Sequence, residues 1–156
     1  MKENFMKQAL IQAQKALKKG DVTVGAVVVR EGKIIAKAYN KKERKQNAIN
    51  HAEILAISKA CKKLHSFRLD ECDLYVTLEP CPMCCGAILG ARVKNLFFGA
   101  YDKDYGCAGS HYNFPEDKNF NHHPNVEGGI LEEECSKIVT DFFKELRKKK
   151  RKNKNS

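Results

Sequence analysis

The chain has 156 residues, 42% of them apolar, and a formal net charge of +10 at pH 7. This size and composition indicate a single domain with its own hydrophobic core. They exclude a membrane-spanning protein, because no run approaches the roughly 18 apolar residues that a spanning helix needs, and the polar residues 1–20 lack the apolar block of a secretion signal.

Helical and strand patterns alternate along the chain. Apolar residues recur at helical spacing up to Leu17, and Gly20 stands where a helix commonly ends. A β-branched run, the turn signal Glu31-Gly32 and a second apolar run then predict a hairpin. The predicted elements are a helix at 3–19, strands at 24–29 and 33–40, a polar loop at 41–49, a helix at 51–64, a strand at 74–78, a helix at 82–91, a strand at 95–100, a long loop at 102–125 and a last helix from about residue 131.

The order of these elements predicts a layered α/β domain with some parallel strands, because strands alternate with helices after the hairpin. No repeat or linker divides the chain, so we expect one domain at 1–146 and a basic tail at 147–156. The tail holds seven positive charges and no acid, which leaves only +3 on the domain. Such a tail is either simply solvated or attracted to a phosphate backbone, and charge alone does not choose between these readings.

Two short segments carry candidate metal ligands. Cys81 and Cys84 stand three residues apart at a predicted helix start, so both sulfur atoms face one side of its first turn, where the helix dipole favours thiolates. His51 opens another predicted helix and completes a Cys₂His set, which suits zinc rather than magnesium or calcium. The seven cysteines are odd in number and do not suggest disulfides, so we expect reduced or metal-bound thiols in a cytosolic protein.

A catalytic acid–base group lies beside these ligands in the sequence. Three protein ligands would leave one position of the zinc for a water molecule that loses a proton near neutral pH. Glu53, two residues beyond His51, is placed to accept that proton and deliver it to a substrate. His-x-Glu followed by Pro-Cys-x-x-Cys is the known signature of the zinc deaminases.

Each half of this signature also has an ordinary structural explanation. Cys-x-x-Cys alone is more often a structural zinc knuckle or a redox pair, and a fourth ligand would make the site structural. Glu53 with Asn50 as N-cap also fits a capping box. The two halves together favour catalysis. The residues available as a fourth ligand are Cys61, His65, Cys72 and Cys85.

Beyond these motifs, the chain resembles the bacterial tRNA-specific adenosine deaminases, within the wider cytidine/deoxycytidylate deaminase fold. The resemblance covers about residues 6–147. It implies a three-layer α/β fold with a central mixed sheet of about five strands flanked by helices, one zinc ion per subunit, and a homodimer that pairs through the helix and loops around the metal. The matching segments are Val24–Val27, Asn40, His51–Ile54, Tyr75–Cys81, Phe98–Ala100, Asp102, Gly109-Ser110, Asn121-His122 and Asp141–Phe143.

The resemblance also implies contacts with the substrate. Asn40 would hydrogen-bond the purine ring, and backbone groups near Val24 and Leu78 would line the pocket. Asp102 would lie beside the sugar-phosphate path of the flipped adenosine. The last helix would contact the anticodon loop, and the basic tail would extend this contact. The residues of that helix implied in contacting the anticodon loop are Phe143 and Arg147.

Several residues keep a second interpretation. Asn40 at a strand end could satisfy a turn, and Asp102 could cap a loop. Phe142 and Phe143 are adjacent and cannot both face the core, so one is expected inside and the other free to stack on a base. The long loop offers three further histidines as extra ligands or as surface groups, namely His111, His122 and His123. Departures from the family pattern are Thr23 in place of proline, Asn50, Cys85 and Tyr101.

We therefore predict hydrolytic deamination of the wobble adenosine to inosine in the anticodon loop of a tRNA, with an arginine tRNA of anticodon ACG as the substrate and the cytoplasm as the location. A zinc-bound hydroxide would attack the ring carbon that bears the amine, and Glu53 would protonate the neighbouring ring nitrogen and then the departing amine, which is released as ammonia. The base would have to flip out of the loop to be reached.

Two alternatives remain open at the sequence level. A deaminase of a free base or nucleoside, such as guanine or cytosine, would share the zinc set but has little reason to carry Phe142-Phe143 and a basic tail. A non-catalytic, zinc-stabilised RNA-binding module would need a fourth ligand and would have no use for Glu53.

Overall fold

The computed structural model describes residues 1–154 apart from the side chain of Arg44, and these residues form five helices, five strands and a short 3₁₀ turn at Phe114–Glu116. The elements in chain order are α1 (Lys2–Lys18), β1 (Gly25–Arg30), β2 (Lys33–Tyr39), α2 (Lys42–Lys45), α3 (Ala52–Leu64), β3 (Cys72–Leu78), α4 (Pro82–Gly90), β4 (Asn95–Ala100), β5 (Asn125–Glu127) and α5 (Glu132–Lys154).

The five strands form one mixed sheet in the order β2-β1-β3-β4-β5. β1 pairs antiparallel with β2 and with β3, whereas β3 pairs parallel with β4 and β4 with β5. Helices cover both faces, which is why β1 reads as a continuous β-branched run. Ala26 and Val28 pack towards α3 and α4, while Val27 and Val29 pack towards α1. The predicted three-layer α/β fold with a mixed sheet of five strands is confirmed.

The parallel pairing of β3 and β4 determines where the site forms. Leu78 pairs with Ala100 at the carboxyl ends of the two strands. Because the carboxyl ends of parallel strands open at the same edge of a sheet, the segments that follow Leu78 and Ala100 emerge side by side. One of these segments leads into α4, and the other is the long loop between β4 and β5.

Close backbone contact holds α1 against the sheet. Gly25 at the start of β1 lies so near the helix that an added Cβ would stand 2.1 Å from the carbonyl oxygen of Ala9 and 2.5 Å from the nitrogen of Ala13. Only a residue without a side chain fits there. The hairpin between β1 and β2 turns through Glu31 and Gly32, both with positive φ angles.

The last helix is attached to the sheet near its start. Cys135 is fully buried, and an added Cβ on Gly99 would lie within 2.3 Å of its sulfur. The hydroxyl of the buried Thr23 donates a hydrogen bond of 2.9 Å to the carbonyl oxygen of Ile138. Beyond Leu146 every described residue of the helix is exposed. The helix continues into the basic tail as far as Lys154, and the last two residues of the tail lie outside the described part.

Ion pairs contribute little to this fold. The five pairs found among residues 1–154 all lie at the surface, and each partner is at least 47% exposed. Such pairs typically contribute between zero and about 1 kcal/mol each, so burial of the two apolar faces stabilises the structure. None of the described helices has the length and apolar character needed to cross a membrane.

The structure adds three elements that the sequence patterns did not predict, which are α2, β5 and the 3₁₀ turn at Phe114–Glu116. The polar loop expected at 41–49 contains the short helix α2, and the long loop expected at 102–125 ends in β5. The strand expected at 24–29 begins and ends one residue later, at Gly25 and Arg30. β5 has only three residues and one neighbour, so its period-2 pattern is too short to recognise in the sequence.

Candidate metal centre and substrate pocket

Three side chains converge from the starts of two helices. His51 is the N-cap residue of α3, Cys81 is the N-cap residue of α4, and Cys84 lies in the first turn of α4. The Nδ1 atom of His51 is 3.7 Å from Cys81 Sγ and 3.6 Å from Cys84 Sγ. The candidate ligand atoms of all three residues lie within 4.8 Å of one another.

These separations fit a tetrahedral zinc site. Zinc bonds of about 2.3 Å to sulfur and 2.0 Å to nitrogen place ligand atoms roughly 3.5–3.8 Å apart. Within residues 1–154 no fourth His, Cys, Asp or Glu joins the cluster. The residues considered above as a fourth ligand, none of which belongs to the cluster, are Cys61, His65, Cys72 and Cys85.

The pKa values of the two cysteines of the cluster are shifted in opposite directions. The hydrogen bond from the Cys84 thiol lowers the pKa of Cys81 to about 4, and the same contact together with burial raises the pKa of Cys84. The hydrogen bond with Cys81 also raises the pKa of His51. A thiolate facing an imidazole is an electron-rich donor set of the kind that soft metal cations prefer.

Glu53 lies beside the cluster without belonging to it. Its side chain is only 4% exposed, and it borders the same pocket as His51 and Cys81. Burial raises the pKa of Glu53, as expected for a carboxyl group that holds and releases protons near neutral pH. Because the N-cap residue of α3 is His51 and not Asn50, the capping-box interpretation of Glu53 is wrong.

A cavity of about 750 Å³ opens next to the cluster. Five of the six predicted substrate contacts line it, whereas Arg147 does not and instead lies on the exposed part of α5. The predicted residues that line the cavity are Val24, Asn40, Leu78, Asp102 and Phe143. The lining residues without a role predicted from the sequence are Val22, Lys42, Glu79, Tyr101, Lys103, Asp104, Tyr105 and Val139.

Asn40 lies in the cavity wall and also supports the start of α3. It is 5% exposed and lines the cavity, and its Oδ1 accepts a hydrogen bond of 2.7 Å from the backbone N–H of Ala52. That N–H belongs to the first residue of α3, which the side chain of His51 does not cap. The Nδ2 group of Asn40 is a donor suited to binding a molecule in the cavity.

The mouth of the cavity combines aromatic rings with positive charges. Tyr105 is 69% exposed and Phe143 is 40% exposed, so both rings are accessible to solvent. Lys42 and Lys103 line the same opening. Exposed rings and lysines arranged around a cleft suit a single-stranded nucleic acid, whose bases stack while its phosphates attract cations.

The two neighbouring phenylalanines of α5 are both partly accessible. Phe142 is half-buried, and its ring meets the ring of Phe143 edge-on at 5.3 Å. The expectation that one ring packs inside while the other stays free is met only in part, because Phe143 is exposed but Phe142 is only half-buried. The reason is that α5 buries only Cys135 and rests on the sheet through its first turns.

The residues with open roles lie outside the cluster. The Cys85 thiol donates to the carbonyl oxygen of Pro80 at 3.7 Å. The Nε2 of His122 lies 2.7 Å from the carbonyl oxygen of Val93, and the ring of His111 packs edge-on against a tyrosine. The Nδ1 of His123 lies 2.9 Å from the carbonyl oxygen of Pro115. The Tyr101 ring borders the cavity and packs edge-on against Phe98.

Known proteins are similar to this chain in sequence. The sequence profile of the MafB19-like deaminases matches residues 1–147. The tRNA-specific adenosine deaminase of Bacillus subtilis (strain 168) is 50% identical to the chain over 149 residues, which cover 96% of this chain and 92% of that protein.

Solved structures agree with the sequence comparison. A structure from studies of A-to-I editing by tRNA:A34 deaminases at the wobble position of transfer RNA superposes with a TM-score of 0.84 at 40% identity, covering 86% of this chain and 98% of its own. The guanine deaminase of Bacillus subtilis superposes with a TM-score of 0.62 at 43% identity, covering 69% of each chain.

Proposed function

The chain belongs to the MafB19-like deaminases and, among them, to the family of the bacterial tRNA-specific adenosine deaminases, and we propose that it converts the wobble adenosine of a tRNA anticodon loop to inosine by hydrolysis. An arginine tRNA with anticodon ACG is the proposed substrate, which also makes the cytoplasm the proposed location. The observation that carries this function is the opening of the ligand cluster and Glu53 onto one cavity, in a chain half identical to such an enzyme.

We assign one zinc ion per chain to His51, Cys81 and Cys84. Their two sulfur donors, one nitrogen donor and mutual distances support the assignment. When bound, zinc lowers the pKa of a water molecule towards neutrality and so supplies the nucleophile of a hydrolytic deamination.

Glu53 is the proposed carrier of protons. Its carboxylate takes a proton from the attacking water and gives it to the ring nitrogen next to the carbon that bears the amine. A second proton passes through Glu53 to the amine, which leaves as ammonia while the carbon keeps the oxygen of the water. Adenosine and water thus become inosine and ammonia, and Glu53 returns to its starting state.

Asn40 is the proposed orienting group for the base. Its Oδ1 is held by the N–H of Ala52, so its Nδ2 acts as a donor and requires an acceptor on the substrate. Ring nitrogens of a purine are acceptors. The hydrogen bond from Ala52 also fixes Asn40 relative to α3, the helix that contains Glu53. A base bound by Asn40 would therefore be held at a fixed position relative to Glu53.

The surroundings of the cavity support an RNA substrate. A flipped adenosine would leave its neighbouring bases beside the exposed rings of Tyr105 and Phe143, where stacking needs no particular sequence. Lys42 and Lys103 stand where flanking phosphates would pass. The exposed basic half of α5, residues 147–154, offers further charge to the anticodon stem.

A variant that lacks only the proton carrier tests the chemistry. Glu53→Gln should retain zinc and RNA binding but lose about 1,000-fold in the single-turnover rate of inosine formation on an anticodon stem-loop, which is the middle of the usual range for an acid–base group. Glu133→Gln, which changes an exposed glutamate of α5, should match the wild type. Wild-type turnover by Glu53→Gln would disprove the assignment.

A guanine deaminase activity is the second candidate, because the solved guanine deaminase is 43% identical over 69% of the chain. Parallel assays with the stem-loop, free guanine, free cytosine and free adenine separate the two functions. Inosine formed in the stem-loop alone supports the tRNA function, whereas ammonia from free guanine alone supports the alternative. No product from any substrate would favour a non-catalytic RNA-binding role.

A homodimer is the proposed assembly. The rings of Tyr112 and Phe120 are exposed. Both lie on the loop between β4 and β5, and they support pairing of two chains through this region. Light scattering of the purified zinc-loaded protein should give twice the mass of the chain, and a monomer at micromolar concentration would contradict the proposal.

A further inference from the structure

Glu79 is a buried carboxylate that takes no part in the steps above. It follows β3 directly, and its side chain is 2% exposed. Oε1 accepts hydrogen bonds from the N–H of Asp102 at 3.1 Å and from the hydroxyl of Ser110 at 2.5 Å. Oε2 accepts them from the N–H of Ala108 at 3.1 Å and from the N–H of Ser110 at 3.0 Å.

All four donors belong to residues 101–113, which we call the β4 loop. The chain of this loop passes directly over the carboxyl group, since an added Cβ on Gly106 would stand 2.4 Å from Glu79 Cδ. The N–H of Cys107 also donates to the carbonyl oxygen of Pro80 at 2.8 Å. No ion pair among the described residues includes Glu79, so the loop alone satisfies this buried charge.

The part of the β4 loop between these anchors forms one wall of the substrate cavity. Asp102 is an anchor and a lining residue at once, and Lys103, Asp104 and Tyr105 follow it along the cavity. Hydrogen bonds to a buried charged acceptor are typically stronger than those between neutral groups. The carboxylate therefore determines where this wall lies.

We infer that Glu79 is a positioning residue, which holds the β4 loop in the shape that presents Asp102 and Tyr105 to the RNA at the cavity that takes the target adenosine. The inference rests on the proposed function for its substrate. It assigns to Glu79 an effect on substrate binding, separate from the proton transfers of Glu53 and from the metal ligands.

The geometry predicts which hydrogen bond a Glu79→Gln substitution removes. An amide nitrogen at the Oε2 position would face two N–H donors, those of Ala108 and Ser110. An amide nitrogen at the Oε1 position would face one N–H donor, that of Asp102, and could itself donate to the Ser110 hydroxyl. The substituted side chain would adopt the second orientation, which frees the N–H of Asp102 and keeps the other anchors.

Steady-state kinetics on the anticodon stem-loop, together with amide hydrogen exchange, test this inference. Glu79→Gln should raise KM roughly tenfold, the equivalent of one hydrogen bond to a charged group, with kcat within about twofold and the zinc content unchanged. Amide exchange should accelerate in residues 102–105. Glu133→Gln is the matched control, because it makes the same substitution at an exposed glutamate of α5, and its KM should stay near the wild-type value.

Two outcomes would overturn the inference. One is an unchanged KM with unchanged amide exchange, and the other is a loss of kcat accompanied by a loss of zinc, which would place the effect of Glu79 at the metal centre. If the wild type leaves the stem-loop unmodified, the proposed function is contradicted, but the anchoring role of Glu79 is not. In that case amide exchange decides the inference, since faster exchange in Glu79→Gln supports the anchoring role and equal exchange contradicts it.

Discussion

At the scale of single residues, Cys84 and Cys85 are adjacent cysteines with opposite environments. The sulfur of Cys84 faces His51, whereas the sulfur of Cys85 donates to the carbonyl oxygen of Pro80. Cys84→Ser should weaken zinc affinity roughly 100-fold or more, because binding energies of about 10–16 kcal/mol in structural sites are shared among four ligands. Cys85→Ser should keep the wild-type zinc content. Metal analysis after competition with a chelator measures both variants, and equal zinc loss from the two would contradict the ligand assignment.

Two substitutions of Asn40 separate its structural role from its proposed role in binding the base. Asn40→Asp keeps an oxygen that accepts from Ala52 at the start of α3 but loses the Nδ2 donor. Its melting temperature should stay close to that of the wild type, while kcat/KM on the stem-loop falls roughly tenfold for the lost hydrogen bond. Asn40→Ala should lose the same activity and, in addition, about 1 kcal/mol of unfolding free energy for the lost cap. Equal stability of the two variants would show that the cap is unimportant.

The sequence predicted the residues of the site unevenly, for a physical reason. His51, Cys81 and Cys84 stand at helix starts with ligand spacing, so local pattern was sufficient to predict that they meet. The cap that Asn40 provides to α3 and the four bonds on Glu79 join segments far apart in the chain. Such contacts leave no periodic signal, and no local pattern distinguishes Glu79 from any glutamate that follows a strand.

At the scale of secondary-structure elements, the contact of α1 with β1 depends on one glycine. A Cβ at Gly25 would meet the backbone of α1 at 2.1 Å and 2.5 Å, and a helix backbone cannot move aside as a flexible side chain can. Gly25→Ala should therefore reduce the unfolding free energy by about 3 kcal/mol, the upper range for overpacking. Urea unfolding of zinc-loaded protein measures the change.

A second glycine provides the control for this prediction. Gly86 lies inside α4, where an added Cβ meets nothing within 4 Å. Gly86→Ala should leave stability unchanged or raise it by up to about 1 kcal/mol, the difference in helix propensity. A similar loss in both variants would mean that the contact of Gly25 with α1 is not the cause.

The prediction of elements succeeded where a pattern was long and failed where it was short. α1 and α3 have 17 and 13 residues, which is ample for a helical period to be recognised. The four residues of α2 and the three of β5 are shorter than two periods of their own structure. α2 forms because Asp21, wholly buried, accepts a hydrogen bond of 2.9 Å from the N–H of Glu43, a contact visible only in three dimensions.

At the scale of the whole molecule, positive charge is concentrated at the end of α5. If this end contacts the anticodon stem, replacing Lys150, Arg151 and Lys152 by alanine should lower the slope of log Kd against log salt concentration by about 2 to 3. Each lost phosphate contact accounts for roughly 0.7–0.9 of this change. Filter binding of the stem-loop between low and moderate salt measures the slope. Replacing Lys62 and Lys63, at the far end of α3, should leave the slope unchanged. Equal slopes in both variants would mean that the tail is simply solvated and does not contact the RNA phosphates.

The hairpin turn between β1 and β2 offers a place to attach a reporter. Glu31-Gly32 lies at the opposite end of β1 from Val24, which lines the cavity, and six strand residues separate the two ends by roughly 20 Å. Exposed hairpin tips are the sites at which chains best tolerate inserted sequence. A fluorescent or affinity peptide placed between Glu31 and Gly32 would leave the cavity, the basic helix and both chain ends free, so that RNA binding and catalysis could be followed on a labelled enzyme.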